Sequence, residues 1–259
     1  MSTPVTADHV ALAHRLADAS GAIIRRYFRT HVAVDDKSDA SPVTIADREA
    51  ERAIRDLIAA AAPDHGIIGE EWGSERADAE WVWVLDPIDG TKSFITGKPS
   101  FGTLIALAHR GRSVLGIVDQ PITGERWIGG VGHPASLNGT PVRVRACPDL
   151  RDAYLYATEP EMFKGSDQDA FERLTARVKM RRYGADCYAY ALLASGFVDL
   201  VCECNLKVHD HAAVSAVIEA AGGVVTAWDG AALGLSTNVC VLAAGDRRAH
   251  AAAMKALAG

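Results

Sequence analysis

Two aspartates three residues apart, Asp86 and Asp89, close an apolar run and are followed directly by Gly90 and Thr91. The run Trp83-Val84-Leu85 reads as a strand, and Pro87, with a fixed φ and no N–H for a sheet ladder, is expected to end it at Asp86. The following turn brings Asp89 to the same side, so that two carboxylates converge at a strand end. Gly90 permits close backbone approach, and Thr91 is expected at a helix start, where free N–H groups attract an anion such as phosphate. Oxygen donors for a hard cation thus adjoin a cradle for an anion. An acidic turn with a helix cap would account for one aspartate, but not for two with the glycine and the threonine.

More acids lie in matching contexts. Ile67-Ile68-Gly69 reads as a short strand ending in Glu70 and Glu71, whose side chains point in opposite directions, so only one faces a site. Asp210 is placed at the start of a helix that buries Val214, Val217, Ile218 and Ala221 and stops at Gly222 and Gly223; taken alone it is an N-cap. Thr44 and Asp47 have the spacing of a capping box.

The elements that must position these acids follow from periodicity. Val10 to Phe28 and the stretch after Thr44 read as two opening helices, and the segments around Leu85, Leu104, Val118 and Ile128 as a meander of strands. From about Pro148 strand and helix alternate, with strands at Tyr154–Ala157, Val198–Glu203 and Val239–Ala243. With 259 residues and 49% hydrophobic content the chain can bury a large core. The expectation is one catalytic domain over 1–259, whose halves, about 1–147 and 148–259, meet at a cleft where small ligands bind. A formal net charge of -6 disfavours nucleic acid as a partner. Met1 to Asp8 lacks a basic and then apolar leader, and no stretch is long enough to span a bilayer, so a cytoplasmic protein without a membrane partner is expected. The five cysteines form no C-x-x-C pair and read as reduced, mostly buried thiols, with Cys202 and Cys204 on one face of a strand.

Taken together, Val43-Thr44-x-x-Asp47, Gly69-Glu70-Glu71, Asp86 to Thr91, and Asp210-x-Ala212-Ala213 with Ala221 to Gly223 resemble, in order, the motifs of the inositol monophosphatase family. The resemblance implies an α-β-α-β-α layered sandwich and a small phosphorylated metabolite as substrate. It implies two or three Mg2+ ions held by Glu70, Asp86, the Ile88 carbonyl, Asp89 and Asp210. Asp47 and Thr91 would orient the attacking water, with Glu70 sharing in catalysis, and the phosphate would sit against Asp89, Gly90, Thr91 and Asp210. A homodimer is likewise implied. The chemistry agrees, because Mg2+ takes scattered oxygen ligands, and paired ions about 3.5 to 4 Å apart serve both the attacking and the leaving oxygen.

Within the family, Gly90 to Pro99, Leu115 to Pro121 with Glu125-Arg126-Trp127, and Gly184 to Tyr190 are similar to the histidinol-phosphate phosphatases. Asp186 and Glu203 are then expected at the cleft mouth, where two more carboxylates suit a substrate with an ammonium and an imidazole better than a neutral polyol. Asp186 would otherwise be a helix cap and Glu203 a strand-end acid. The competing readings are an inositol-1-phosphate or broad sugar-phosphate phosphatase, a nucleotide 3'-phosphatase, and a catalytically silent scaffold. His209 departs from the aromatic residue usual before Asp210 and is read, with His211 beyond, as a wall of the site; Ser93 replaces a frequent Asn outside the implied ligand set.

Overall fold

The computed structural model describes residues 5–36, 42–235 and 238–259; the first four residues of the segment read for a leader lie outside it. Thr6 caps the first helix, α1 (Ala7–Tyr27), by accepting the His9 N–H at 3.2 Å. A short antiparallel pair, β1 (Val34–Asp36) and β2 (Pro42–Thr44), leads into α2 (Ile45–Ala61). Next come β3 (Gly66–Gly69), β4 (Gly73–Glu75), β5 (Trp81–Asp89), the single-turn α3 (Thr91–Ile95), β6 (Gly102–His109), β7 (Arg112–Gln120), β8 (Glu125–Gly130), β9 (His133–Leu137) and β10 (Thr140–Pro141). Strands β3 to β10 form one sheet in the order β10-β9-β8-β7-β6-β5-β3-β4. It is an antiparallel meander from β5 onward, with β3 parallel to β5.

The remaining elements are β11 (Tyr154–Ala157), α4 (Ser166–Thr175), β12 (Met180–Tyr183), α5 (Asp186–Ala194), β13 (Leu200–Leu206), α6 (Val208–Ala220), β14 (Val224–Ala227), β15 (Val239–Ala244) and α7 (Arg247–Ala258). Their strands make a five-stranded sheet, β12-β11-β13-β15-β14.

The period-two alternation of each strand assigns the layers. Trp83 and Leu85 pack with Leu16 of α1 and Ile54 and Ile58 of α2, whereas Val84 between them packs with Tyr190, Val214 and Val217 of α5 and α6. Val201 of β13 joins that same middle layer, while Leu200, Cys202 and Cys204 face Phe171 of α4 and Leu257 of α7. The order is therefore α1/α2, large sheet, α5/α6, small sheet, α4/α7, which is the expected α-β-α-β-α sandwich. Each fully buried side chain of the size of Leu85 contributes ~1.5–3 kcal/mol relative to exposure.

Three expectations need correction. Strand β5 does not end at Asp86: it runs to Asp89, because the register shifts between Asp86, opposite Leu104, and Asp89, opposite Gly102, and Pro87 falls inside that bulge where no ladder N–H is required. Helix α6 begins at Val208 after Lys207, so Asp210 is in its first turn, not its cap. Cysteines 147, 187 and 202 are free and buried, but Cys204 and Cys240 are joined by a disulfide (S–S 2.02 Å), since antiparallel β13 and β15 bring them face to face. No helix among the described residues is long and apolar enough to cross a membrane.

Candidate metal centre

The bulge in β5 is what gathers the acids. It turns Asp86 and Asp89 toward the N-terminal turn of α6, and ligand atoms of Asp86, Asp89 and Asp210 all come within 4.8 Å of one another. A second group within the same limit, Glu70, Asp86 and His209, shares Asp86 with the first. The scaffold is tied down by backbone donors. The Ile88 N–H binds Asp86 Oδ1 at 3.0 Å, the Cys187 N–H binds Asp89 Oδ2 at 2.7 Å, and the Lys207 N–H binds Asp210 Oδ2 at 2.7 Å. Thr91 donates its hydroxyl to the Ile88 carbonyl at 3.1 Å.

These carboxylates are mutually repulsive in a poorly solvated place. Burial, then the charges of Glu70, Asp89 and Asp210, hold Asp86 well above the usual carboxylate range. Burial, Asp210 and Asp186 do the same to Asp89, and burial pushes Asp210 up to about 7 against the opposing Lys207 N–H. An all-oxygen set whose members resist ionising together fits a hard divalent cation, which would supply the missing positive charge.

Asp47 lies at the third position of α2. Its Oδ2 accepts both the Thr44 N–H (2.9 Å) and the Thr44 hydroxyl (2.6 Å), so the capping box is real. Its Oδ1 is buried and takes no hydrogen bond. Burial raises the group to about 6, with the Thr44 bonds opposing and Glu70 adding to the rise. Asp47 and Thr91 share no hydrogen bond, each being engaged by its own local partner. His209 places Nε2 3.5 Å from Asp210 and 3.9 Å from Glu70, beside the carboxylates but not in the cleft lining, and His211 is fully buried and borders a separate hollow.

A cleft of about 270 Å³ opens beside this cluster, lined by Glu70, Asp89, Gly90, Thr91 and Asp210 on one side and by Thr158, Glu159, Asp186, Tyr190 and Glu203 on the other. Two larger hollows, about 720 and 620 Å³ beside α1, carry no such cluster of metal-ligating groups among the described residues. Glu71 is absent from the cleft lining, so Glu70 is the member of the pair that faces it.

Asp186 is not a helix cap. Its Oδ2 accepts the hydroxyls of Ser93 (2.6 Å) and Ser100 (3.1 Å), and Ser100 also bonds Ser93 at 3.1 Å. Burial raises its titration and the two serines oppose the rise. Gly90 is required here twice over: its φ is +87°, and a Cβ would stand 2.7 Å from the Asp186 Cγ. Glu203 is held by the Thr158 N–H at 2.7 Å and the Tyr190 hydroxyl at 2.9 Å, and burial raises it to about 7. Ser93 and Ser100 were not among the site residues read from the sequence; the frequent Asn at 93 was the one signal pointing there.

The profile of the inositol monophosphatase family matches residues 7–258. The chain belongs to that family of metal-dependent phosphoric monoester hydrolases. It is 51% identical over 256 residues to the bifunctional phosphatase IMPL2, chloroplastic, of Arabidopsis thaliana, covering 95% of this chain and 74% of that one. To the histidinol-phosphatase of Mycobacterium tuberculosis it is 36% identical, covering 87% and 89%. An inositol monophosphatase structure from Zymomonas mobilis superposes with a TM-score of 0.90 at 44% identity, covering 98% of this chain and 100% of that one.

Proposed function

We propose that this chain is a Mg2+-dependent phosphatase of histidinol phosphate, working as one catalytic domain whose two halves each line the cleft. Glu70, Asp86, the Ile88 carbonyl, Asp89 and Asp210 would hold two or three magnesium ions, whose bound charge supplies Lewis acidity and neutralises the phosphate. Asp47, oriented through Oδ2 by Thr44, keeps Oδ1 as an acceptor for a water proton, and a value of about 6 suits that task near neutrality. Thr91, bonded to the Ile88 carbonyl, stands at the turn after Asp89 and would help to orient the water. Gly90 and Thr91 would receive the phosphate beside Asp89 and Asp210.

The observation that carries the substrate is Asp186: a carboxylate outside the implied ligand set, clamped by two serine hydroxyls against the cleft. A cation bound there would draw Asp186 and Glu203, both raised by burial, into their ionised forms, which favours an ammonium or imidazolium and offers a neutral polyol little. Phosphate release from histidinol phosphate beside inositol 1-phosphate, with Mg2+, tests this; kcat/KM at least about tenfold higher for the former is expected. A preference for the neutral ester would leave the phosphatase and move the substrate to inositol or sugar phosphates, the reading favoured by the 44% identity to the Zymomonas protein. Turnover of no ester would leave a silent scaffold.

A further inference from the structure

Glu51 is fully buried on α2, one helical turn beyond Asp47, and no step above uses it. Its carboxylate points at the turn that carries Glu70. Oε2 accepts the Glu71 N–H at 2.8 Å, and Oε1 accepts the Trp72 N–H at 3.1 Å and the Arg55 Nε–H at 2.8 Å. Arg55 also donates to the Gly73 carbonyl. Trp72 is held again by the same face of α2, its indole N–H bonding the Arg48 carbonyl at 3.1 Å with Arg52 over its ring at 4.5 Å. At the other end the Glu70 N–H binds the Leu85 carbonyl at 3.2 Å. The fit leaves no space: a Cβ on Gly69 would lie 2.0 Å from Glu51 Oε1 and 2.6 Å from Arg55.

From this geometry we infer that Glu51 is the positioning residue of the metal centre, a clamp by which α2 sets Glu70 relative to Asp47. The inference rests on Glu70 being a metal ligand, as proposed above. Three donors converge on one carboxylate, so the site demands an acceptor-only group. A glutamine turns an NH2 toward a donor, leaves at least one of the three unsatisfied, and releases the turn. Because a ligand held in place from outside the coordination sphere commonly adds ten- to a hundredfold to metal affinity, the effect belongs in the dissociation constant of the ion.

The test is Mn2+ binding to the full chain, by calorimetry and by electron paramagnetic resonance of free Mn2+, at a temperature where each variant is folded. Glu51→Gln is expected to raise the Mn2+ Kd by about tenfold or more. Ile58→Val, on the same helix and fully buried in the core away from the turn, serves as the control that lowers Tm without moving the Kd. If Glu51→Gln does not fold, Arg55→Gln loosens the same clamp and reads the same constant, with a smaller rise. An unchanged Kd in the folded variant, or a change no larger than the control's, overturns the role of Glu51 and leaves the metal centre standing. A wild type that binds no Mn2+ overturns the metal centre itself, and the clamp with it.

Discussion

Replacing Asp186 by Asn removes one charge from the organic side of the cleft while sparing the fold. Asp186 has φ +46°, a left-handed conformation that Asn tolerates better than most residues, and the Asn carbonyl can still accept from Ser93 and Ser100. The lost quantity is a charge-assisted contact to a cationic substrate, about 1.5 to 3 kcal/mol. At 1.4 kcal/mol per decade this is about ten- to a hundredfold in kcat/KM for histidinol phosphate, and the lower end applies because Oδ2 already serves two hydroxyls. For inositol 1-phosphate the change should stay within about twofold, since no full charge is lost from its contacts. Steady-state kinetics of wild type and variant on both esters, with Tm as a check on folding, gives the ratio. Equal losses on both esters would make Asp186 a scaffold residue, and an unchanged ratio would refute its contact with the cation.

Asp89→Asn should lower turnover by about a hundredfold or more while leaving the metal-free protein as stable as wild type or more so, because it removes one of several poorly solvated, mutually repelling carboxylates; parallel loss of activity and Tm would argue for a structural role. Asp47 and Asp210, raised to about 6 and about 7, bind protons more tightly folded than unfolded, so their contribution to metal-free stability is complete in acid and lost as pH rises through those values. The Tm increase caused by Mg2+ should therefore be larger at about pH 8 than at about pH 5.5, where protons compete for the ligands, and the opposite order would refute the assignment. Replacing Cys204 and Cys240 by Ser together should cost about 3 to 4 kcal/mol, from the entropy of a loop spanning a separation of 36 residues, read by denaturant titration; no loss would mean that the disulfide does not form in solution.

What was legible in the sequence was whatever is contiguous. The Asp86 to Thr91 turn shows its chemistry because the acids and the anion cradle follow one another along the chain, and the layers show because Trp83, Val84 and Leu85 alternate between two cores. What was not legible depends on a partner strand or a distant contact. The bulge at Pro87 is set by the pairing with Gly102 and Leu104 on β6, so a rule that proline ends a strand misplaced its end. Strand β12 escaped notice because Met180, Arg181 and Arg182 are all exposed and carry no alternation. Glu51 and Arg55 stand four apart on a helix and look like an ordinary solvated ion pair until the turn after β3 is seen against them.

Polar contacts join the segment after Thr91 to the residues around Asp186 across the cleft. From that segment Ser93 and Ser100 reach across to Asp186, Lys98 to the Gly184 carbonyl, and Lys92 to Glu159 at 2.8 Å. Ser93 lies in α3, the turn that begins with Thr91, so one of the two hydroxyls that hold Asp186 belongs to the turn that would meet the phosphate, and Ser100 follows five residues after its end. The carboxylate proposed for the organic half is thereby held from the Thr91 side of the cleft, and its own helix α5 offers it no capping bond. Ser93 makes no hydrogen bond to Asp86, Asp89 or Asp210 of its own, so its removal acts first on Asp186. Ser93→Ala should accordingly change the preference between a cationic and a neutral ester while leaving the Mn2+ Kd at its wild-type value, and a change in that Kd would place Ser93 in the metal centre instead.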